Sequence, residues 1–333
     1  MEIKKLIIYS IFINIFFVIF INKITYFYNI YDQPNQRKLH KDKVSLLGGP
    51  LIFFPLIMIF IQSLFIENII FEKVFSFSKL EFYHLFFTCF LVFLVGFFDD
   101  KKGLSANLKL ITISIILLQI LIFDYDLRVN DLRFDFNEYS VELKKVSIFF
   151  TLFCFLLFMN AFNMFDGIDL QASLYALILL IILALKSVYI NLIILIIFQI
   201  IFILYLNYKK KIFLGDSGSL LLSFLLGTMI IKSYNTNLGI FYADEIFLIM
   251  MIPGLELLRL AVFRIFKKKH PFVADNEHIH HYLLKKYSFL KTTLIIQSLY
   301  ILPIIIYYTL GNIIFSFLIS FLSYFLIIYK NKF

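Results

Sequence analysis

The stretch Asn160-Ala161-Phe162-Asn163-Met164-Phe165-Asp166-Gly167-Ile168-Asp169-Leu170 lies at mid-chain between two long apolar runs. Asn160, Asn163 and Asp166 are three positions apart, so they fall roughly on one face of a helix. Asp169 continues the series beyond the glycine, which can break the helix. Helix capping by Asn or Asp accounts for one such residue but not for four. Because such groups are rare at the end of a membrane helix without a use, this stretch predicts a functional site.

The composition places the site in a membrane protein. Apolar residues make up 61% of the chain, charged residues make up 16%, and the mean hydropathy is +0.90. Soluble domains have about 45–50% apolar and about 25% charged residues. We therefore predict an all-α, polytopic integral membrane protein. Cys89 and Cys154 both lie inside apolar runs, which argues against a disulfide framework. The net charge of +9 is interpreted as loop charge that orients the helices and attracts anionic lipid or phosphate, so no nucleic-acid partner is expected.

Eleven apolar runs approach the length of about 20 residues that a helix needs to cross the hydrocarbon. The predicted spans are 6–22, 50–66, 82–98, 105–123, 146–160, 170–186, 189–206, 218–232, 245–263, 292–309 and 312–329. Some of these runs are short, so one of them could be re-entrant or broken. We therefore expect about 10–11 transmembrane helices.

Eleven crossings sort the loops into two sets on opposite sides of the membrane. One set contains 23–49, 99–104, 161–169, 207–217, 264–291 and the tail from Lys330. This set carries roughly twice as many Lys and Arg residues as the other, so we expect it to be cytoplasmic, although Lys4 and Lys5 argue weakly the other way. On the other side, 124–145 alternates polar and apolar residues and predicts a small external hairpin. Every unusual polar cluster falls in the cytoplasmic set, which predicts one site built from several segments.

The pair Asp99-Asp100 follows a predicted span. Adjacent carboxylates repel each other, which raises a pKa or attracts a cation, and Mg²⁺ prefers carboxylate and phosphate oxygens. The alternative is a hydrophilic stop at the membrane edge, with Lys101 and Lys102 as counter-charges. Lys109, in the next helix, either faces the same cavity or extends to the membrane surface.

Asp216 lies between glycines in Gly215-Asp216-Ser217-Gly218-Ser219, at the predicted start of a helix. The glycines allow close approach of the backbone, and a helix N-terminus favours an anionic phosphate. Asp216 is therefore either a metal ligand or an N-cap, and the same sequence is also a good turn.

Two further loops are basic. In the first, Arg37, Lys38 and His40 precede Gly48-Gly49-Pro50 and could hold phosphate oxygens. The alternative is an ordinary juxtamembrane loop whose positive charge follows from its cytoplasmic location.

The second basic loop carries His278, His280 and His281, close to Asp275. These ligand types could form a zinc site. Thiolates are absent, however, and the other clusters are rich in oxygen, which suits Mg²⁺ better. We therefore interpret the imidazoles as ligands of a pyrophosphate or of its leaving group.

Taken in order, these segments resemble the polyprenyl-phosphate N-acetylhexosamine-1-phosphate transferases of glycosyltransferase family 4. The resemblance runs from about Asp32 to His281. It comprises the Asp-Asp pair, Asn-x-x-Asn-x-x-Asp-Gly-x-Asp, Gly-Asp-x-Gly-Ser and His-x-His-His. The last motif is more similar to the branch making N-acetylglucosamine-type lipid carriers than to the phospho-N-acetylmuramoyl-pentapeptide branch, which ends in three adjacent histidines.

The chain also departs from the family pattern. Leu170 stands where the family often has Gly, and Glu256 stands where many relatives carry Asp. The loop before Gly48 has Lys43 and Ser45 where relatives often have prolines. No carboxylate is lost, so the departures bear on the identity of the substrate more than on activity.

The resemblance implies a single integral membrane transferase domain, residues 1–333, in the bacterial cytoplasmic (inner) membrane with its active site facing the cytoplasm. It implies transfer of N-acetylhexosamine 1-phosphate from UDP-GlcNAc or a related UDP-sugar to undecaprenyl phosphate, with release of UMP, at the start of lipid-linked glycan synthesis. Mg²⁺ is the implied cofactor, with Mn²⁺ as a substitute. The implied partners are the UDP-N-acetylhexosamine, undecaprenyl phosphate and the lipid bilayer, and a homodimer is left open.

The resemblance also assigns roles to residues. The implied catalytic residues are Asp99, Asp100, Asp216 and His280, of which the three aspartates are also the implied metal ligands. The implied substrate-binding residues are Arg37, Lys38, His40, Lys109, Asn160, Asn163, Asp166, Asp169, His278 and His281.

Three rival interpretations were weighed. A transporter with a midplane site would place carboxylates within its spans and would show internal repeats. A CDP-alcohol phosphotransferase would need Ala-Arg after Asp166-Gly167, where this chain has Ile168-Asp169. An inactive scaffold remains open, as do the identity of the hexosamine and the glycan pathway, with O-antigen of lipopolysaccharide among the candidates.

Overall fold

The computed structural model of the protein describes residues 3–33, 42–137, 139–187, 189–236, 241–269 and 275–332. Within these ranges the α-helices are α1 (Ile3–Tyr28), α2 (Gly48–Ser63), α3 (Asn68–Phe75), α4 (Lys79–Lys102), α5 (Ala106–Phe123), α6 (Ser147–Phe165), α7 (Gln171–Lys186), α8 (Ile190–Tyr208), α9 (Gly215–Asn235), α10 (Ala243–Phe266), α11 (Ile279–Leu284), α12 (Phe289–Leu310) and α13 (Ile313–Lys332). The strands are β1 (Tyr31–Asp32), β2 (Val44–Ser45), β3 (Asp131–Arg133) and β4 (Ser140–Glu142), and 3-10 turns cover Tyr125–Leu127 and Lys144–Val146.

The helices confirm an all-α, multi-pass membrane protein. Among the described residues, nine helices are long and apolar enough to cross a membrane. The other two predicted spans, α2 and α7, are apolar helices of 16 residues each. At a rise of 1.5 Å per residue each would be about 24 Å long, which is less than the roughly 30 Å of hydrocarbon. The short helices α3 and α11 lie in segments that the sequence predicted as loops.

The predicted hairpin within 124–145 is confirmed. Strands β3 and β4 are antiparallel, with Leu132 opposite Val141. The hairpin is tied to the helices by Asp244 at the start of α10, whose carboxylate accepts a 3.0 Å hydrogen bond from the backbone N–H of Asp135. Tyr307 of α12 donates to the carboxylate of Asp135 at 2.9 Å. Backbone and side-chain groups of the hairpin therefore have partners in the helix bundle.

Helix α9 lies at the centre of the bundle, and its membrane-spanning window is entirely buried. It packs against α2, α4, α6 and α7. A close approach occurs at Gly96 of α4, where a Cβ atom would overlap the backbone of Ser217. Glycine at this position brings the C-terminal end of α4 against the N-terminal end of α9. The two aspartate-bearing segments at these ends therefore meet.

Buried ion pairs fix the opposite end of the bundle. Lys232, near the C-terminus of α9, lies 2.8 Å from Asp124 and 3.4 Å from Glu81. Lys186 of α7 pairs with Glu245 of α10 at 2.5 Å. Buried charges are costly unless they are paired, so these contacts satisfy the charged residues at the end that lies away from Asp216.

Candidate active site

Four side chains that are far apart in sequence form one hydrogen-bonded group at the N-terminus of α9. Lys109 Nζ lies 2.5 Å from Asp99 Oδ2 and 3.2 Å from Asp216 Oδ1. Asn163 Nδ2 donates to the same oxygen of Asp216 at 2.5 Å and to Ser219 Oγ at 2.7 Å. The structure thus brings together the ends of α4, α6 and α9 and the start of α5. The amine of Lys109 is therefore held by the carboxylates of Asp99 and Asp216, and its side chain is mostly buried.

The two adjacent aspartates have different partners. Asp99 Oδ1 accepts the backbone N–H of Leu104 at 2.7 Å, and its other oxygen faces Lys109. Asp100 instead accepts the backbone N–H groups of Asp216 and Ser217 at 2.8 and 3.0 Å. A carboxylate in this position satisfies free N–H donors at the start of α9 and is stabilised by the helix dipole. Asp100 therefore caps the helix that presents Asp216.

The loop after α6 adds two more carboxylates. Burial, together with the nearby carboxylates of Asp216, Asp169 and Asp100, raises the pKa of Asp166 to about 8. Neighbouring carboxylates disfavour one another's ionisation, and a bound cation relieves this repulsion. The group therefore has an excess of negative charge that suits a divalent cation.

Asn160 lies outside this group of contacts. Its amide nitrogen donates to the carbonyl of Leu156, one turn back in the same helix, at 2.7 Å. The proposed substrate-binding role of Asn160 stays a prediction.

The histidine segment packs onto the same loop. The imidazole of His280 lies against Gly167, where a Cβ atom would overlap the ring, and only 2% of His280 is exposed. The rings of His278 and His281 lie 5.2 and 4.2 Å from the ring of His280, measured between centroids. All three predicted histidines therefore form one cluster beside the aspartate loop.

The histidines are neutral at pH 7. Burial lowers the pKa of His278 to about 4, although Glu256 opposes this shift. Burial also lowers the pKa of His280 well below the ordinary value and that of His281 to a smaller extent. In the free protein these side chains would contact a phosphate as hydrogen-bonding groups and not as cations.

A second network holds the histidine segment in place. Glu256 of α10 accepts the backbone N–H of Ile279, the first residue of α11, at 2.8 Å. The same carboxylate binds Arg259 through a forked pair of hydrogen bonds at 2.9 and 3.0 Å and accepts a hydrogen bond from Tyr324 of α13. Tyr324 was missed in the sequence, since a single tyrosine in an apolar helix gives no signal there.

The loop between α6 and α7 ends in an unusual backbone conformation. Leu170 has a φ of +68°, in the left-handed region. This conformation costs a residue other than glycine about 1–2 kcal/mol. Its N–H donates to Asn207 Oδ1 at 2.6 Å, and Gln297 donates to the carbonyl of Gln171 at 3.2 Å. Asn207 and Gln297 were also missed, although polar residues inside membrane helices are a general signal of function.

The acidic group with the most compact geometry for a metal ion is not the predicted metal site. Among the described ranges, the group of three acidic side chains whose ligand atoms all lie within 4.8 Å of one another is Glu81, Asp124 and Asp126. It lies at the opposite end of the bundle, where Lys232 pairs with two of its members. The predicted set with Asp216 is more open, because Asp100 is turned towards the N-terminus of α9. Among the described residues, the predicted metal ligands Asp99, Asp100 and Asp216 do not form such a group, so their role in binding a metal ion stays a prediction.

Three predicted phosphate ligands, Arg37, Lys38 and His40, lie outside the described residues. The strands on either side of this segment are antiparallel, and Ser45 of β2 also pairs with Ile212, four residues before Asp216. The segment 42–47 is therefore anchored beside the site.

Comparison with known proteins finds relatives that match most of this chain. The sequence-family model described as glycosyl transferase family 4 matches residues 82–234, which include all the aspartates of the site. The curated undecaprenyl-phosphate alpha-N-acetylglucosaminyl 1-phosphate transferase of Thermotoga maritima is 28% identical over 267 residues, covering 80% of this chain and 77% of the relative. The protein of the same name from Escherichia coli O157:H7 is 25% identical over 286 residues, covering 81% of this chain and 73% of the relative. The protein of the same name from Yersinia pestis is 24% identical over 291 residues, covering 84% of this chain and 76% of the relative.

The lowered pKa of His278 predicts how stability depends on pH. The unfolded chain binds a proton at this residue near pH 6.5, whereas the folded protein does so only near pH 4. Stability from this residue is therefore complete above pH 6.5 and is lost as the pH falls towards 4, by at most about 1.4 kcal/mol per pH unit. His278→Gln should reduce the fall in melting temperature between pH 7.5 and pH 5 in detergent. An equal fall in both proteins would contradict the burial of a neutral imidazole.

Proposed function

We propose that the chain is a member of glycosyl transferase family 4 and that it transfers N-acetylhexosamine 1-phosphate from a UDP-sugar to undecaprenyl phosphate. The single observation that carries the proposal is the group formed by Asp99, Lys109, Asn163 and Asp216. UDP-GlcNAc is the first candidate for the donor, since the curated relatives are named for N-acetylglucosaminyl 1-phosphate transfer.

The reaction exchanges one phosphoanhydride bond for another. An oxygen of undecaprenyl phosphate attacks the phosphorus that bears the sugar, the bond from this phosphorus to the oxygen shared with UMP breaks, and UMP leaves. Both reactants are anions, so charge must be neutralised as they approach. Undecaprenyl phosphate is largely ionised at pH 7, because the second pKa of a phosphate is about 6, and little general-base catalysis is needed.

Each charged group then has a role in the reaction. Lys109 would hold phosphate oxygens, and Asp99, bonded to it, would orient it and position the attacking phosphate or accept its proton. Lys109 and Asn163 both bond Oδ1 of Asp216, which leaves Oδ2 of this one-third-exposed side chain for a metal ion. Asp100 would not contact the substrates but would position Asp216 by capping the N-terminus of α9.

A divalent cation fits this set of side chains. Carboxylate and amide oxygens are the donors that Mg²⁺ prefers. Burial is the main cause of the raised pKa of Asp166 and the neighbouring carboxylates add to it, so a cation would relieve their repulsion. We propose Mg²⁺, with Mn²⁺ as a substitute, held by Asp216 with Asp99 or Asp166 nearby. When bound, it would neutralise the charge on the transferred phosphate and on the leaving UMP.

The remaining polar residues would hold the donor. Asn163, Asp166 and Asp169 line the loop beside the site and would contact the nucleotide or the sugar. His278, His280 and His281 lie on the other side of this loop, and as neutral imidazoles they would donate hydrogen bonds to the pyrophosphate. Arg37, Lys38 and His40 stay proposed phosphate ligands.

An apolar cavity of about 340 Å³ provides a place for the lipid tail. Its walls come from α6, α9 and α10, and they run from Ala161 and Leu257 near the site to Val129, Leu132 and Tyr234 near the hairpin. Almost every lining side chain is apolar. A site next to a membrane-embedded groove suits an acceptor with a charged head and a polyprenyl chain. A transporter is not favoured, because the carboxylates lie at the two ends of the bundle and not at its middle.

The functional proposal is tested by UMP release from membranes supplied with undecaprenyl phosphate, Mg²⁺ and a panel of UDP-sugars. We expect release that EDTA abolishes. Asp216→Asn and Asp99→Asn should each lower turnover by at least roughly a hundredfold, the cost of losing one charge-stabilising group. Asp126→Asn, an exposed acidic residue at the other end, is the matched control and should keep its activity. Near-normal rates in both site variants would rule out the assignment.

We further propose that the site faces the cytoplasm of a bacterial inner membrane, because the loops at its end of the bundle carry most of the Lys and Arg residues. Single cysteines at exposed positions would test this in a variant without Cys89 and Cys154. A cysteine at Lys145, beside the hairpin, should react in intact cells with a reagent that does not cross membranes. One at Lys268, at the end of α10, should react only after lysis. The reverse pattern would invert the topology.

A further inference from the structure

We propose that Asn207 is a positioning residue that keeps the Asp166–Asp169 loop in register with the segment that carries Asp216. The inference deepens the proposed function and rests on it, because its main effect would be on that reaction. Asn207 belongs to neither of the two segments and lies in the last turn of α8.

The amide of Asn207 is bonded to both aspartate-bearing segments at once. Oδ1 accepts the N–H of Leu170 at 2.6 Å, and Nδ2 donates to the carbonyl of Ile212 at 2.9 Å. Leu170 directly follows Asp169, and Ile212 precedes Asp216 by four residues. Asn207 is 5% exposed, so water cannot readily replace either bond. One buried side chain thus sets the distance between two parts of the site.

The bond to Leu170 acts on a backbone that would otherwise relax. Leu170 has a φ of +68°, and a branched apolar residue rarely adopts this conformation. Its carbonyl accepts the N–H of Leu174 at 2.8 Å, so the same residue also begins α7. If Asn207 were absent, Leu170 could return to a negative φ and turn the preceding peptide. The carboxylates of Asp169 and Asp166 would then move away from Asp216.

This account differs from a role in stability alone. Glycine populates positive φ about as readily as negative φ. If Asn207 acts by holding Leu170, then Leu170→Gly should remove much of the need for it. If Asn207 merely fills a buried polar position, Leu170→Gly should not restore the activity that Asn207→Ala loses.

The experiment is a double-mutant cycle on UMP release. Asn207→Ala should lower kcat/KM for the UDP-sugar by roughly tenfold to a hundredfold, as expected for a misplaced reacting group. Leu170→Gly alone should stay close to wild type. The double variant should have a kcat/KM at least about threefold higher than that of Asn207→Ala alone. Asn191→Ala is the matched control, because this amide donates to the carbonyl of Val74 at the opposite end of the same helix. Leu170→Gly should give no gain in that background.

Comparison of Leu170→Gly with Leu170→Ala tests the strain separately. The two variants differ by one methyl group, and at a position with negative φ in a regular element alanine is the more stabilising residue. Here the glycine variant should have the higher melting temperature. Its advantage should grow in the Asn207→Ala background.

Three results would overturn the proposal. They are normal activity of Asn207→Ala, a double variant as impaired as Asn207→Ala, or a melting temperature of Leu170→Ala equal to or above that of Leu170→Gly. If Asn207→Ala does not fold, a folded double variant supports the proposal and an unfolded one contradicts it. A wild-type protein that releases no UMP would reject the proposed function, while the melting temperatures would still decide the role of Asn207.

Discussion

The structure depends on one constraint: α9 is buried along its membrane-spanning length, so both of its ends must be satisfied within the protein. At one end Asp100 accepts the first backbone N–H groups. At the other end Lys232 is neutralised by Asp124 and Glu81. A helix fixed in this way cannot slide, and it presents Asp216 to the neighbouring helix ends at a constant height.

The site follows from the electrostatics of that end. Several carboxylates and one bonded lysine, Lys109, are gathered where α4, α6 and α9 meet, and burial together with the neighbouring carboxylates raises the pKa of Asp166. Neutral histidines close the site from the side of α11, held there by Glu256 and Arg259. This arrangement is short of positive charge. In the proposed reaction, a cation bound together with phosphate would complete it.

Much of the fold could be predicted because hydrophobic length determines membrane helices directly. Sorting the loops by charge also placed the aspartate and histidine segments at one end. The sequence could not separate Asp99 from Asp100, since adjacent residues at a helix end point in directions that only the packing of α9 decides. The roles of Asn207 and Tyr324 could not be predicted for a related reason, because the residues that they bond are distant in the chain. The φ of +68° at Leu170 is a conformation that glycine adopts readily, and glycine is the residue that the family resemblance led us to expect at this position.

The central claim is that a metal ion binds at the Asp216 end together with the donor's pyrophosphate. Electron-nuclear double resonance of Mn²⁺ bound to the purified protein measures this directly, because coupling to ³¹P reports a phosphate in contact with the metal. The account predicts that UDP-GlcNAc produces ³¹P coupling in the wild type, that Asp216→Asn removes it, and that Asp126→Asn leaves it unchanged. Coupling that survives in Asp216→Asn and disappears in Asp126→Asn would place the metal at the other end of the bundle and contradict the account.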